Sequence, residues 1–302
     1  MAFYGWPFSQ CQISATPLDV QLHSGVRVID IRLAIVKDRL IAYHGVFPQR
    51  TPFQDILSTI YAFLIHPDTC RETVIMSLKQ EDYNVNPPPV FSKKVHDEIF
   101  SGPGGRDLWF LENRIPKLGE VRGKIVMLSR FGGDGSGWDY GLEGLGIHPT
   151  TWPDSAREGF EWRCKETLVR THDWYAIPSF LSIPEKVVLA SRILVPPEDT
   201  SESVLSVSYF SAASFPLAFP STVARGFGWP RWGFGVEGVN SRLGRWLLDR
   251  FGPSAQEESE LSGQLKVHVA AKPLSLKGWV LLDYYAQPDH DLVALLVEQN
   301  FL

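Results

Sequence analysis

An α/β fold in one domain is what this sequence predicts, and three observations predict it. Seven strand-like runs are spread along the 302 residues, and several end on a polar or charged side chain. Amphipathic helical stretches lie between them, the mark of the α/β class. The 25 glycines and 22 prolines exceed the usual ~12% share and call for turn-rich loops, which excludes a helical bundle or coiled coil. A prior of about 150 residues per domain allows two domains. A single (β/α)8 barrel of about 250 residues with insertions fits the same length. Without an internal repeat, low-complexity tract or linker, one domain over residues 1–302 is the expectation.

The strands come in order. Arg27 to Leu33 is the clearest: at period 2, Ile29, Ile31 and Leu33 share one face, while Val28, Asp30 and Arg32 share the other. The apolar face suits a covering of helices, and the opposite face then turns two charges inward. Leu40 to His44 follows so closely that residues 33–38 cannot hold a helical crossover. Thr51-Pro52-Phe53-Gln54 offers a capping box, and Phe53, Ile56, Leu57, Ile60 and Leu64 continue it at helical spacing. Further strands run Thr73 to Lys79, Lys124 to Arg130, Thr167 to His172, Val204 to Tyr209 and Trp279 to Asp283. Helical stripes are expected at Val236, Val239, Leu243, Trp246 and Leu247, and at Leu292, Leu295 and Leu296. Residues 131–165 and 211–235 read as glycine-, tryptophan- and proline-rich insertions.

Composition excludes some functions. With 44% hydrophobic and 21% charged residues the chain buries a core rather than staying disordered. A net charge of −5 provides no broad basic face for nucleic acid. No apolar run approaches the ~20 residues of a transmembrane helix, and the opening residues lack the basic stretch and apolar run by which a signal peptide is read. Cys11, Cys70 and Cys164 lack metal-ligand spacing and leave the compartment open.

In a (β/α)8 barrel, the C-terminal strand ends converge where catalysis sits. Here those ends carry Asp30, Arg32, His44, Lys79, Arg130, Asp173 and Asp283. Cations neutralise a phosphate, carboxylates hold hydroxyls or orient imidazoles, and histidine transfers protons, so the mixture suits an anionic substrate. Each also has a structural alternative. Asp30 and Arg32 fit an ion pair, His44 before Gly45 a turn, and Lys79 the solvated run Lys79-Gln80-Glu81-Asp82. Arg130 fits a loop edge, and Asp173 and Asp283 fit turn caps. Trp229, Trp232 and Phe234 suit either an exposed aromatic rim at a bilayer or plain packing. The run Phe131 to Gly137 lacks the Gly-Lys-Ser/Thr ending of a nucleotide loop.

Gln21-Leu22-His23-Ser24-Gly25-Val26-Arg27-Val28-Ile29-Asp30-Ile31-Arg32, followed by Ile41-Ala42-Tyr43-His44-Gly45, resembles the catalytic core of the phosphatidylinositol-specific phospholipase C X-domain family. The likeness continues through residues 71–79 and 123–130, then His172-Asp173-Trp174-Tyr175 and residues 279–284. It implies an irregular TIM-type (β/α)8 barrel with some crossover helices missing, in which the short 33–38 connection fits. It also implies that His44 is the general acid on the diacylglycerol leaving oxygen. Arg32 would stabilise the phosphate as the inositol 2-hydroxyl attacks phosphorus to give a cyclic product. Lys79, Arg130 and Asp173 would bind inositol hydroxyls, Tyr175 would stack on the ring, Asp283 would orient a general-base histidine, and Asp30 would fix the cluster.

The family's base lies in a Pro-Gly-Thr-His-Asp-like segment of its first strand, shortly before a stretch resembling Phe3-Tyr4-Gly5-Trp6. The sequence starts just after that point, so the expectation is an N-terminal strand missing, by truncation or in a natural, impaired form. His23 is no replacement, lying at the far end of the Arg32 strand. No cofactor and no metal are expected, because a guanidinium at position 32 repels a cation. The expected partner is phosphatidylinositol or a related inositol phospholipid at a membrane surface. Two alternatives stay open: a non-catalytic phosphoinositide-headgroup binder, and a metal-dependent glycerophosphodiesterase barrel, against which Arg32 speaks.

Overall fold

The computed structural model describes residues 9–133, 145–197, 202–229, 232–251, 276–288 and 291–301. Two features read from the sequence, the opening Met1–Pro7 and the glycine-rich 134–137, lie outside the described residues. The chain divides into two compact units, one of residues 1–154 and 161–169, the other of residues 155–160 and 170–302.

In the first unit α1 (Leu18–His23) leads into β1 (Val28–Val36), whose Ile29, Ile31 and Leu33 are buried as the alternation requires. β2 (Arg39–His44) returns antiparallel, with Val36 opposite Arg39. The two residues between them, Lys37 and Asp38, take φ of 48° and 62°, the left-handed pair of a tight hairpin whose twist matches its strands. That explains the short connection. β3 (Phe47–Pro52) pairs antiparallel with β2, and α2 (Phe53–Ile65) begins directly after it. The capping box does not form: Thr51 belongs to β3 and its hydroxyl donates to the Gln49 carbonyl at 3.4 Å. The apolar stripe of α2 does form, with Phe53, Ile56, Leu57, Ile60 and Leu64 all buried. Burying each such side chain contributes about 1.5–3 kcal/mol.

β4 (Thr73–Gln80), α3 (Pro88–Ser101), β5 (Trp109–Phe110) and β6 (Lys124–Arg130) complete a six-stranded sheet of order β3-β2-β1-β4-β6-β5. β1, β4, β6 and β5 are parallel neighbours. Leu78, Met76 and Val74 are fully buried, as befits a central parallel strand.

β7 (Phe160–Cys164) and β8 (Thr167–His172) carry the chain from one unit to the other. In the second unit α4 (Ile183–Arg192) precedes β9 (Ser203–Tyr209), which lies between β8 and β12 (Gly278–Leu281). β9 and β12 are parallel, with Tyr209 opposite Leu281. Since β12 ends at Leu281, Asp283 stands just beyond the strand rather than within it. α5 (Pro220–Arg225) leads to an antiparallel pair, β10 (Gly226–Phe227) and β11 (Val236–Glu237). Gly235 closes that pair: with φ of 123°, an added Cβ would lie 2.0 Å from the Phe227 carbonyl oxygen. Val236 therefore belongs to β11, and the helical stripe begins at Val239 in α6 (Val239–Phe251). α7 (Leu292–Glu298) carries the last stripe. No disulfide joins Cys11, Cys70 or Cys164. Among the described residues no helix is long and apolar enough to cross a membrane.

Candidate active site

Strand register assembles the first cluster. Arg32 on β1 pairs with Lys79 on β4, and Lys79 pairs with Arg130 on β6. Paired residues on neighbouring strands point to one face, so three cations stand in a row at strand spacings of about 4.8 Å. Like charges so placed destabilise a sheet unless they are offset.

Two carboxylates supply the offset. Two residues back along β1, Asp30 Oδ2 accepts from Arg32 Nε at 2.9 Å. Its Oδ1 accepts from Arg130 Nη1 at 3.2 Å and from the Ser77 hydroxyl at 2.6 Å. Glu81, whose side chain is only 6% exposed, lies 3.4 Å from Arg32 Nη1 and 3.8 Å from Lys79 Nζ. Three cations and these two carboxylates thus stand together on one face of the sheet, within a chain of net charge −5. Burial would raise the Asp30 carboxyl, but Arg32, Arg130 and the Ser77 hydrogen bond hold it well below the usual carboxylate range. Burial, then the Arg32 charge, lowers the Lys79 ammonium, with Glu81 and Asp30 opposing. The Arg130 guanidinium also lies over the Trp152 ring, 4.0 Å from its centroid.

His44 reaches this cluster by a different route from the one expected. β2 is antiparallel, so His44 is not a parallel-strand end; the tight hairpin brings it back, two residues beyond the Ala42–Leu33 pair. Its Nδ1 lies 2.8 Å from the Ser9 carbonyl and 3.5 Å from Cys11 Sγ. Burial and then the Arg32 charge lower its pKa, against the Ser9 contact, Glu81 and Asp30. A neutral imidazole beside a guanidinium and an ammonium can receive or deliver a proton near an anion.

The remaining predicted residues belong to the second unit. Asp173 is buried just past β8, and Tyr175 keeps 37% exposure. Asp283 stands beyond β12 in a turn held by Asn240, whose Nδ2 donates to the carbonyls of Asp283, Tyr284 and Gln287 at 2.8–3.1 Å. Asp173 and Asp283 both act electrostatically on Lys186, a fully buried lysine of α4.

Sequence reasoning missed Ser77, Glu81, Trp152, Asn240 and Lys186. Ser77 was within reach, since Ser77-x-Lys79 on β4 repeats the spacing of Asp30-x-Arg32 on β1. Glu81 was hidden because the run 79–82 reads as solvated. In the fold it is not: besides the Glu81 contacts, Asp82 accepts from the Ile35 amide at 2.8 Å and from Asn86 Nδ2 at 2.7 Å.

Comparison with known proteins bears on this arrangement directly. Residues 8–131 match the family model described as "Phosphatidylinositol-specific phospholipase C, X domain". That segment is similar to the X domain of this family. It holds Asp30, Arg32, His44, Lys79 and Arg130. A 1-phosphatidylinositol phosphodiesterase of Listeria monocytogenes is 35% identical over 130 residues, 41% of this chain and 37% of that protein. The chain thus spans little more than a third of that relative in this match. A 1-phosphatidylinositol phosphodiesterase of Staphylococcus aureus is 24% identical over 288 residues, 93% of this chain and 79% of that one. Among solved structures, a phosphatidylinositol-specific phospholipase C of S. aureus superposes with a TM-score of 0.65 at 22% identity, covering 97% of this chain and 85% of that one. The L. monocytogenes enzyme superposes with a TM-score of 0.58 at 20% identity, covering 99% and 89%. The chain therefore shares the irregular TIM-type α/β fold of these proteins. Its own described strands pair in separate sheets rather than one closed ring.

Proposed function

We propose that the protein is a phosphoric diester hydrolase or lyase that cleaves phosphatidylinositol-type lipids to diacylglycerol and a cyclic inositol phosphate. The observation that carries this reading is the row Arg32–Lys79–Arg130, three cations brought side by side on adjacent parallel strands. Such a row fits a ligand with a phosphate and several hydroxyls. In this reading Arg32 stabilises the phosphate charge that grows as the inositol 2-hydroxyl attacks, and His44 protonates the leaving oxygen. Lys79, Arg130, Asp173 and Tyr175 contact the inositol, and Asp30 holds Arg32 and Arg130 in place. Asp283 would orient a general-base histidine that takes the hydroxyl proton, a group not identified among the described residues. That residues 1–302 serve as one catalytic domain is part of the same proposal.

The reaction is metal-independent in this reading, because the Arg32 guanidinium supplies fixed positive charge where a bound cation would otherwise act. It takes place at a membrane surface. Trp229, Trp232 and Phe234 are 43%, 52% and 68% exposed, which fits side chains that rest in a lipid interface.

Turnover of phosphatidylinositol vesicles, followed as release of water-soluble cyclic inositol phosphate, tests the reading. Arg32→Ala is expected to slow release by about 10²–10³. EDTA should leave the wild-type rate unchanged, and a loss restored by calcium would overturn metal independence. Headgroup binding with no release at all would favour the non-catalytic binder instead.

A further inference from the structure

His44 Nδ1 lies 2.8 Å from the Ser9 carbonyl oxygen. A carbonyl oxygen only accepts, so the hydrogen of that bond sits on Nδ1. Cys11 Sγ is 3.5 Å from the same nitrogen and donates its own hydrogen to the Ser9 carbonyl at 3.8 Å, so it presents Nδ1 with no competing donor. In a neutral imidazole one nitrogen carries the hydrogen, and the bond it makes decides the state of the other. Nε2, at the other edge of the ring, is thereby the nitrogen that takes up and gives away a proton.

The Ser9 carbonyl needs a hold of its own, because Ser9 lies ahead of α1 and outside the sheet. Gln49 of β3 supplies it. Its Nε2 donates to Ser9 Oγ at 3.2 Å and to the Phe47 carbonyl at 3.2 Å. Phe47 in turn stands opposite His44 in the β2–β3 pairing, so the contacts close a ring from His44 through Ser9 and Gln49 back to His44. Gln49 is buried, and its Oε1 has no partner among the described residues. An unanswered buried acceptor costs stability, a cost that an apolar side chain in the same place would not carry.

We propose that Gln49 is a positioning residue, which holds the Ser9 carbonyl against His44 Nδ1 so that the imidazole exchanges protons through Nε2. This deepens, and rests on, the reading above in which His44 protonates the leaving oxygen. Delivery of the Nε2 proton to that oxygen leaves the neutral Nδ1–H imidazole that the Ser9 carbonyl already holds. The surrounding charges accord with the geometry. Burial and then Arg32 on β1 lower the His44 pKa, while the Ser9 contact, Glu81 beyond β4 and Asp30 on β1 raise it, and the Cys11 thiol touches the ring as well. Loosening Ser9 removes one of the raising contacts, so the His44 midpoint falls further.

Two measurements on the whole chain test this. With histidine ring nitrogens isotope-labelled and His44 assigned through a His44→Gln protein, NMR should show the neutral ring protonated at Nδ1 and bare at Nε2. In Gln49→Met and in Ser9→Ala the balance should shift toward the Nε2–H form, and the titration midpoint should drop below the wild-type value. A wild type carrying its hydrogen on Nε2, or an unchanged tautomer balance in Gln49→Met, would overturn the proposal. In turnover of phosphatidylinositol vesicles, Gln49→Met should lower kcat about fivefold with KM nearly unchanged. Adding Ser9→Ala to it should cost nothing more, since the two side chains act through one bond, and full additivity would also overturn the proposal. Should Gln49→Met fail to fold, Ser9→Ala decides by the same readouts. Should the wild type release no product, the functional reading falls, and the tautomer alone decides whether Gln49 holds Ser9 against His44.

Discussion

Asp30 is the residue on which the cation row depends, because it contacts Arg32, Arg130 and Ser77 together. Asp30→Asn keeps the size and the Ser77 bond but leaves three neighbouring cations with Glu81 as their offset. Breaking a sealed ion pair costs about 3–5 kcal/mol. With its side chain 18% exposed, Asp30 should cost somewhat less, about 2–4 kcal/mol, in urea melts at pH 7. The pH dependence has a definite sign. A carboxyl whose folded pKa is depressed contributes stability that is complete above its unfolded value, about 3.9, and is lost as pH falls through the folded value. The wild-type advantage over Asp30→Asn should therefore be constant from pH 5 to 7 and shrink below pH 4; an advantage that persists undiminished to pH 2 would contradict this account. His44 gives a second test. A general acid must be protonated, and its depressed pKa places the alkaline limb of kcat/KM below 6.5. A limb above 7 would mean that another group donates the proton. Both residues were legible in the sequence through strand alternation and the His-Gly turn. Their partner Glu81 was not, since its burial is a tertiary fact that a charged run conceals.

At the scale of elements, strands were read more faithfully than helix starts. The β6 and β8 limits coincide with the runs read from sequence, because Lys124 to Arg130 and Thr167 to His172 are bounded by turns and carry β-branched cores. The capping box failed because β3 continues to Pro52 and engages Thr51 in its own strand. The direction of β2 was legible from its short connection rather than its period: residues 33–38 are too few for a parallel crossover, and period 2 tells which face a residue takes but is blind to direction. The β10–β11 pair shows the same limit. Sequence left its aromatics undecided between rim and core, and the fold exposes them, with Trp232 edge-on to Phe227 at 5.3 Å. If that pair meets lipid, Trp232→Ala should weaken partitioning onto phosphatidylinositol vesicles at least threefold. Hydrolysis of a soluble, monomeric substrate should stay unchanged, because Trp232 lies outside the cation cluster. An equal loss with both substrates would assign Trp232 to folding instead.

The whole molecule sets the terms on which that encounter happens. Its net charge of −5 opposes approach to an anionic bilayer, while the Arg32–Lys79–Arg130 row gathers three cations on one face of the sheet. A polybasic protein gains about 1 kcal/mol per cation near such a surface and releases it as salt rises. With a net charge of −5, the long-range force between this chain and such a surface is mainly repulsion, which is what salt would screen. The Debye length falls from about 10 Å at 0.1 M toward 3 Å at 1 M, which removes forces between separated charges while leaving partly buried contacts nearly intact. Binding to anionic vesicles should therefore hold steady or strengthen between 0.1 and 0.5 M sodium chloride, measured by sedimentation of vesicle-bound protein. Phosphatidylinositol at fixed surface charge should bind more protein than phosphatidylglycerol, since its inositol ring offers a fuller set of hydroxyls than the two of a glycerol headgroup for these donors to grip. A steep fall in binding with salt, equal for both lipids, would mean that bulk electrostatics and not the aromatic pair and cation row govern the encounter.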